Sequence, residues 1–183
     1  MQGQYYLMSQ LPAFSINQSG PLPVTEEYFI ELCSRFLNKK SVEVLKNLTL
    51  EPPKKAKKSS SKLVNQYYDF ERKLRFSLAQ LRAQKMKKEF IDEDRILSTV
   101  PSDIMTIARN AVAFDSPLEA ENYLNEARVQ YLTNILPMDG FCEDAVFAYG
   151  LKLKLATRIK NFNEEAGMAS YRKIYDTILG EST

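Results

Sequence analysis

The sequence predicts an all-α fold, an irregular bundle of about seven helices. Apolar side chains recur at three- and four-residue spacing over several long stretches, and residues that cap helices precede these stretches. Strand-like alternation is weak beyond the first residues. The 183 residues are 44% hydrophobic, which is enough for one core, so we expect residues 1–183 to form a single helical domain.

The N-terminal third contains one ambiguous segment and two predicted helices. Residues 4–11 fit either a short strand or one to two turns of helix, and residues 13–24 carry the prolines and glycine of an irregular connection. Thr25 is a suitable N-cap, followed by acidic side chains that favour the positive end of a helix. The lysines at 39–40 suit the negative end of that helix, and Ser41 is predicted to cap a second, short helix.

A lysine-rich segment at residues 51–62 separates these helices from the next. It contains two prolines, a cluster of lysines and three consecutive serines, and we expect none of it to enter a core. The composition favours an exposed, flexible loop. The alternative function for this segment is a basic contact, from Lys54 to Lys62, with nucleic acid or phosphate.

Three helices are predicted in the middle of the chain. The longest pattern runs from Leu63 to Lys88 without glycine or proline. Pro101 opens the second helix. Ser116 begins the third with a capping box and a proline at the first helical position, and this helix continues to about Leu136. The predicted apolar stripe of that third helix is Ala120, Leu124, Ala127, Tyr131 and Ile135.

The stretch from Asp139 to Ile178 predicts two further helices that meet at Phe162 and Asn163. The first carries an apolar stripe flanked by cations. Asn163 is predicted to cap the second, amphipathic helix, which Gly180 ends. The stripe consists of Ala148, Leu151, Leu155, Ile159 and Phe162, and the cations are Lys152, Lys154, Arg158 and Lys160. We interpret the first of these helices as a packing element.

The side chains available for chemistry are few. The chain has no histidine, which is the commonest general base and a common zinc ligand. Its six glycines stand apart, so no glycine-rich phosphate loop is present. Cys33 and Cys142 form no paired motif, which is typical of a reducing compartment. We therefore expect a cytoplasmic protein that is not an enzyme, with no catalytic residue, cofactor or metal.

The charge pattern leaves other classes of function little support. The net charge is +2, so any attraction to nucleic acid has to be local. No apolar run approaches the roughly 20 residues that cross a bilayer, so we expect no membrane insertion. An enzyme built on carboxylates alone stays an alternative. It would require two acidic clusters, such as those at 92–94 and 143–144, to meet in one pocket.

Three segments carry a resemblance to a known family. Tyr5-Tyr6-Leu7-Met8-Ser9-Gln10-Leu11-Pro12, the helix from Glu27 to Leu37, and Ala145 to Phe162 with Tyr149-Gly150-Leu151-Lys152-Leu153-Lys154 resemble a bacterial family of unknown function encoded among the subunits of V-type (A/V-type) ATP synthases. That family is in turn distantly similar to the cup-shaped helical subunit, named C or d, that seats the central rotor shaft on the membrane ring.

The resemblance implies a non-catalytic accessory or central-stalk-like component of a V-type ATP synthase. Such a protein acts through contacts with other subunits, without a small-molecule substrate, on the cytoplasmic face of the inner membrane. We predict Tyr5 and Tyr6 as amphipathic interface anchors, and Lys152, Lys154 and Arg158 as partner-binding cations beside the apolar stripe.

Overall fold

A computed structural model describes residues 2–18, 20–53, 58–90, 96, 99–162 and 164–180. These residues form an all-α structure with eight helices and, within the described ranges, no strand. The helices are α1 (Gln2–Gln10), α2 (Glu26–Phe36), α3 (Lys39–Lys46), α4 (Lys62–Lys85), α5 (Ser102–Ala113), α6 (Pro117–Asn134), α7 (Glu143–Lys160) and α8 (Glu164–Gly180).

The all-α prediction is confirmed, and the ambiguous N-terminal segment is a helix. α1 is only nine residues long, and in so short a segment the periods of helix and strand are hard to distinguish. It places Leu7 in the core, fully buried. Two predicted caps are also confirmed. The side chain of Thr25 accepts a hydrogen bond from the backbone N–H of Tyr28, and that of Ser116 accepts one from Glu119.

The prediction that Ser41 caps the short helix after α2, which is α3, is wrong. The side chain of Asn38 accepts the hydrogen bond from the backbone N–H of Ser41 at 3.0 Å, so α3 starts at Lys39 and Ser41 lies buried inside it. Asparagine is at least as good a cap as serine. Residues 39–40 therefore open α3, whereas the sequence pattern places them after the end of α2.

The lysine-rich segment departs from its prediction at one end. The sequence predicts Ser61 in an exposed loop, but this residue is buried. Its hydroxyl accepts a hydrogen bond from the backbone N–H of Val64 at 3.1 Å and donates one to Asp144 at 2.6 Å. Ser61 thereby caps α4 and connects it to the start of α7. The predicted loop residues 54–57 lie outside the described residues.

Two apolar clusters make up the core, and α4 belongs to both. Leu63, Val64 and Tyr67, in the first half of α4, pack with residues of α1, α2, α3 and α7. Phe70 and Leu74, nearer its middle, pack with residues of α5 and α6. Because α4 runs through both clusters without a break, it fixes the position of one cluster relative to the other.

α7 is the most central helix of the first cluster. It packs against α1, α2, α3, α4 and α6, so Leu153 is buried although it lies off the predicted stripe. Gly150 permits a close approach of α2 and the end of α3, because a Cβ there would lie 3.1 Å from the ring of Phe29 and 3.2 Å from a methyl group of Leu48. The interpretation of α7 as a packing element thus agrees with its burial.

α8 differs from the other helices. Within the described residues it packs against no other helix, and every described side chain in it, residues 168–177, is exposed. The predicted cap, Asn163, lies outside the described residues. No helix in the described ranges is both long enough and apolar enough to span a bilayer.

Candidate functional site

A cleft of about 750 Å³ lies where α2, α4, α6 and α7 meet. We call it the charged cleft, because its walls carry five cations and three carboxylates among leucines. The charged residues are Arg75, Arg82, Arg128, Lys154, Arg158, Glu26, Glu51 and Glu121, and the apolar ones include Leu48, Leu50, Leu78, Leu124 and Phe162.

One residue of the cleft wall, Arg128, belongs to a buried ion pair. Arg128 of α6 donates two hydrogen bonds to the carboxylate of Glu71 of α4, at 3.0 and 3.1 Å. The two side chains are 5% and 1% exposed. Burial by itself lowers the pKa of Arg128, but the carboxylates of Glu71 and Glu121 together raise that pKa above its usual value. Arg128 is therefore permanently charged, and the buried charges of Arg128 and Glu71 compensate each other.

Further ion pairs extend this network to the mouth of the cleft. Arg75 donates to Glu71 at 2.8 Å and lies 3.2 Å from Glu51. Arg128 also pairs with Glu121 at 3.0 Å, and Arg158 pairs with the same carboxylate. Each pair joins two elements or two turns of one helix, so the network holds α4, α6 and α7 together around the cleft.

The two remaining cations of the cleft wall are Lys154 and Arg82. Lys154 of α7 pairs with Glu26 of α2 at 2.6 Å. Arg82 of α4 is exposed, and its side chain forms no ion pair or hydrogen bond with any residue that the structure describes. Among the described residues, all three carboxylates of the cleft wall are thus paired, whereas the Arg82 guanidinium is free.

Two buried polar atoms beside the network have no hydrogen-bond partner in the described part of the chain. They are the hydroxyl of Tyr67 and the side-chain nitrogen of Asn125. Burial, and then the negative charge of Glu71, raise the pKa of Tyr67 above its ordinary value. Tyr67 is therefore a neutral phenol at physiological pH. Buried polar atoms of this kind commonly bind a water molecule.

The predicted partner-binding cations do not form one surface. Lys154 and Arg158 line the charged cleft but are engaged with Glu26 and Glu121. The guanidinium of Arg158 also lies over the ring of Phe162, 5.8 Å from its centre. Lys152 is outside the cleft wall, with its ammonium 6.0 Å from the ring centre of Phe14.

The predicted tyrosine anchors lie elsewhere. Tyr5 and Tyr6 are 57% and 62% exposed on α1, and the Tyr5 ring stacks on Phe141 with 4.3 Å between ring centres. Phe141 precedes the first turn of α7, whereas Arg158 is near its last turn, so about 25 Å of helix separates the two regions. The tyrosines and the cations are separate candidate contacts.

The other predicted sites are only partly described. In the lysine-rich segment, residues 54–57 lie outside the described residues, and Lys58 and Lys62 are exposed. The acidic cluster at 92–94 is also outside them. Among the residues that are described, no three cysteine or acidic side chains are grouped so that they could hold a metal ion.

The sequence analysis did not predict the ion pair between Glu71 and Arg128. The sequence pattern places Glu71 outside the apolar stripe, yet this residue lies four positions after Tyr67 and three before Leu74, in phase with the buried face. Arg128 likewise follows Leu124 by four residues. Two opposite charges, each in phase with an apolar stripe of a different helix, are the signal that predicts such a buried pair.

The exposed helix α8 is the second candidate surface. Its described apolar side chains follow helical spacing, which places them on one face. Each of them is more than half exposed, and the rings of Tyr171 and Tyr175 stack with 6.2 Å between their centres. We call this the α8 face: Met168, Tyr171, Ile174 and Tyr175.

Comparison with known proteins identified no family for this chain. No family model, no curated protein and no solved structure matched the chain.

Proposed function

We propose that this chain is a non-catalytic component of a V-type ATP synthase, an accessory or central-stalk-like part that binds other subunits through its helical surfaces. The resemblance of the segments around Tyr5, Glu27 and Tyr149 to a family encoded with such subunits suggests the complex. The observation that carries the docking role is the exposed α8 face.

The α8 face has the properties of a helix that lies in a partner's groove. Four large apolar side chains on one side of a helix, each more than half exposed, form an anchor pattern that a complementary groove can cover. Tyr171 and Tyr175 supply the rigid aromatic area that is common at interface hot spots. A short helix also gains most of its stability from packing of its apolar face, so a partner would stabilise α8 itself.

The charges of the described part of α8 leave room for polar contacts at the edge of such an interface. Arg172, Lys173 and Asp176 form no ion pair with any described residue. The ion-pair network of the charged cleft, in contrast, is satisfied within the chain and supports the scaffold from which α8 extends. A fixed scaffold with an extended helix suits an assembly component.

Co-purification tests the proposal. An affinity-tagged copy of the chain is expressed in cells that encode it together with a V-type ATP synthase, and the bound proteins are identified by mass spectrometry. We expect subunits of the synthase in the wild-type sample. The double substitution Tyr171→Ser and Ile174→Ser should remove them, because it replaces the centre of the α8 face by polar side chains.

Tyr28→Ser is the matched control. Tyr28 is 53% exposed on α2, so its replacement changes a similar exposed aromatic surface on a different helix and should leave the bound subunits unchanged. Absence of every V-type subunit from the wild-type sample would contradict the proposed function. Equal recovery with the double variant would show that the complex binds another surface.

A further inference from the structure

We infer that the charged cleft is a binding site for an acidic, partly apolar segment of a partner protein, with a carboxylate of that segment on Arg82. This inference rests on the proposed function only to the extent that the partner is a protein subunit. It concerns the cleft wall between α4, α6 and α7, a surface distinct from the α8 face.

The size and lining of the cleft fit a peptide segment. Its volume of about 750 Å³ lies in the range of ligand sites, roughly 300–1,000 Å³. The half-buried Leu50 and the 43% exposed Phe162 present apolar surface to the cleft, and the buried Leu78 and Leu124 lie behind it. Phe162 precedes α8 by two residues, so this edge of the cleft adjoins the start of α8 in the chain.

The charges of the cleft wall favour a negatively charged ligand. Every carboxylate in the wall already pairs with a cation: Glu26 with Lys154, Glu51 with Arg75, and Glu121 with two arginines. A cationic ligand would have to share a carboxylate that already has a cation partner, and it would be repelled by the surrounding cations. An anionic ligand meets the free guanidinium of Arg82 without displacing any described side chain, and oppositely charged groups gain specificity and association rate in this way.

A small anion uses this site poorly. A water molecule occupies about 30 Å³ in the liquid, and a phosphate or carboxylate ion is only a few times larger, so most of the cleft would stay empty. Such an ion would also leave the apolar wall uncovered. An acidic side chain carried on an apolar segment contacts Arg82 and the leucine-lined wall together, which is why we favour a protein segment.

A peptide pair tests the inference without the ATP synthase. One synthetic helical peptide has a leucine face flanked directly by glutamates, and its counterpart has lysines in place of the glutamates. Binding to the whole chain is measured by fluorescence anisotropy. We expect the glutamate peptide to bind more tightly than the lysine peptide. Arg82→Glu should weaken the glutamate peptide by about tenfold, the size of a lost close charge contact plus a new repulsion.

Arg109→Glu is the matched control. Arg109 is also exposed, lies on the neighbouring helix α5 and has no ion pair among the described residues, so the same charge reversal there should change the affinity little. Equal binding of the two peptides, or an equal effect of the two substitutions, would overturn the inference. So would competition by inorganic phosphate that removes the peptide preference, since this would identify a small-anion site.

Photo-crosslinking locates the contact in the assembled complex. A benzoyl-phenylalanine in place of Phe162 should crosslink to an acidic segment of a V-type subunit. A crosslink to a basic or uncharged segment would contradict the inference while leaving the proposed function intact. Failure of the wild-type chain to bind the synthase, with the peptide preference retained, would contradict only the proposed function.

Discussion

Replacing Arg128 by methionine tests the buried ion pair. The substitution keeps a similar volume but leaves the carboxylate of Glu71, which is 1% exposed, with Arg75 as its remaining cation. Arg75 is 36% exposed and shares its charge with Glu51. Removing one partner of a buried pair costs about 3–5 kcal/mol. Because Arg75 compensates in part, we expect the free energy of unfolding to fall by about 3 kcal/mol, the lower end of that range.

The double substitution Glu71→Met and Arg128→Met separates charge from packing. It removes both buried charges and leaves apolar side chains of similar size, an exchange that is often neutral or stabilising. We therefore expect the double variant to be more stable than either single variant by about 2 kcal/mol. This outcome is specific to a buried pair, because two independent losses would add.

Urea unfolding followed by far-ultraviolet circular dichroism measures these differences. With a urea dependence of about 1–3 kcal/mol per molar, the loss in Arg128→Met moves the midpoint by about 1 M or more. Arg35→Met is the control, since Arg35 and Glu31 form a pair with both side chains about 60% exposed, and such pairs contribute less than about 1 kcal/mol. A loss in Arg128→Met as small as in the control would refute the reasoning, as would a double variant no more stable than the singles.

Three further predictions concern the packing around the site. An aromatic disulfide reagent at neutral pH should modify Cys142 in the folded protein and Cys33 only after denaturation, because burial raises the pKa of Cys33 to about 12 and keeps it a neutral thiol; modification of both thiols in the folded state would contradict this. Gly150→Val should lower the free energy of unfolding by about 1–3 kcal/mol through overpacking, since even a Cβ there would lie 3.1 Å from the nearest ring carbon of α2; an unchanged urea midpoint would show that the neighbours yield. Ser61→Ala should cost about 2 kcal/mol in the same assay and Ser116→Ala about 0.5 kcal/mol, because only Ser61 is buried and also donates to a carboxylate; equal losses would contradict the reason given.

The helical framework could be predicted because it depends on local chemistry. The caps at Thr25 and Ser116 and the uninterrupted pattern after Leu63 each involve residues within a few positions of one another. The choice between Asn38 and Ser41 as the cap of α3 is also local. Both are good N-caps three residues apart, so the sequence does not determine at which residue α3 starts. The packing that buries Ser41 inside α3 determines this start.

The candidate site could not be predicted in the same way, because it depends on which helices meet. Glu71 and Arg128 are 57 positions apart in the chain, and either residue alone has the character of a solvated charge. The guanidinium of Arg82, which is unpaired among the described residues, matters only because the other charges of the cleft wall are paired. The exposure of α8 is likewise a tertiary property, since its amphipathic pattern equally suits a helix that lies within the core.

The position of α4 has a mechanical consequence. Its 24 residues form a rod of about 36 Å, and they include no glycine or proline at which it could bend. One half of the rod packs among α1, α2, α3 and α7 and the other against α5, whereas α6 contributes to both clusters. A displacement of α5 would therefore move α4 as one rigid body and reach the helices packed on its first half.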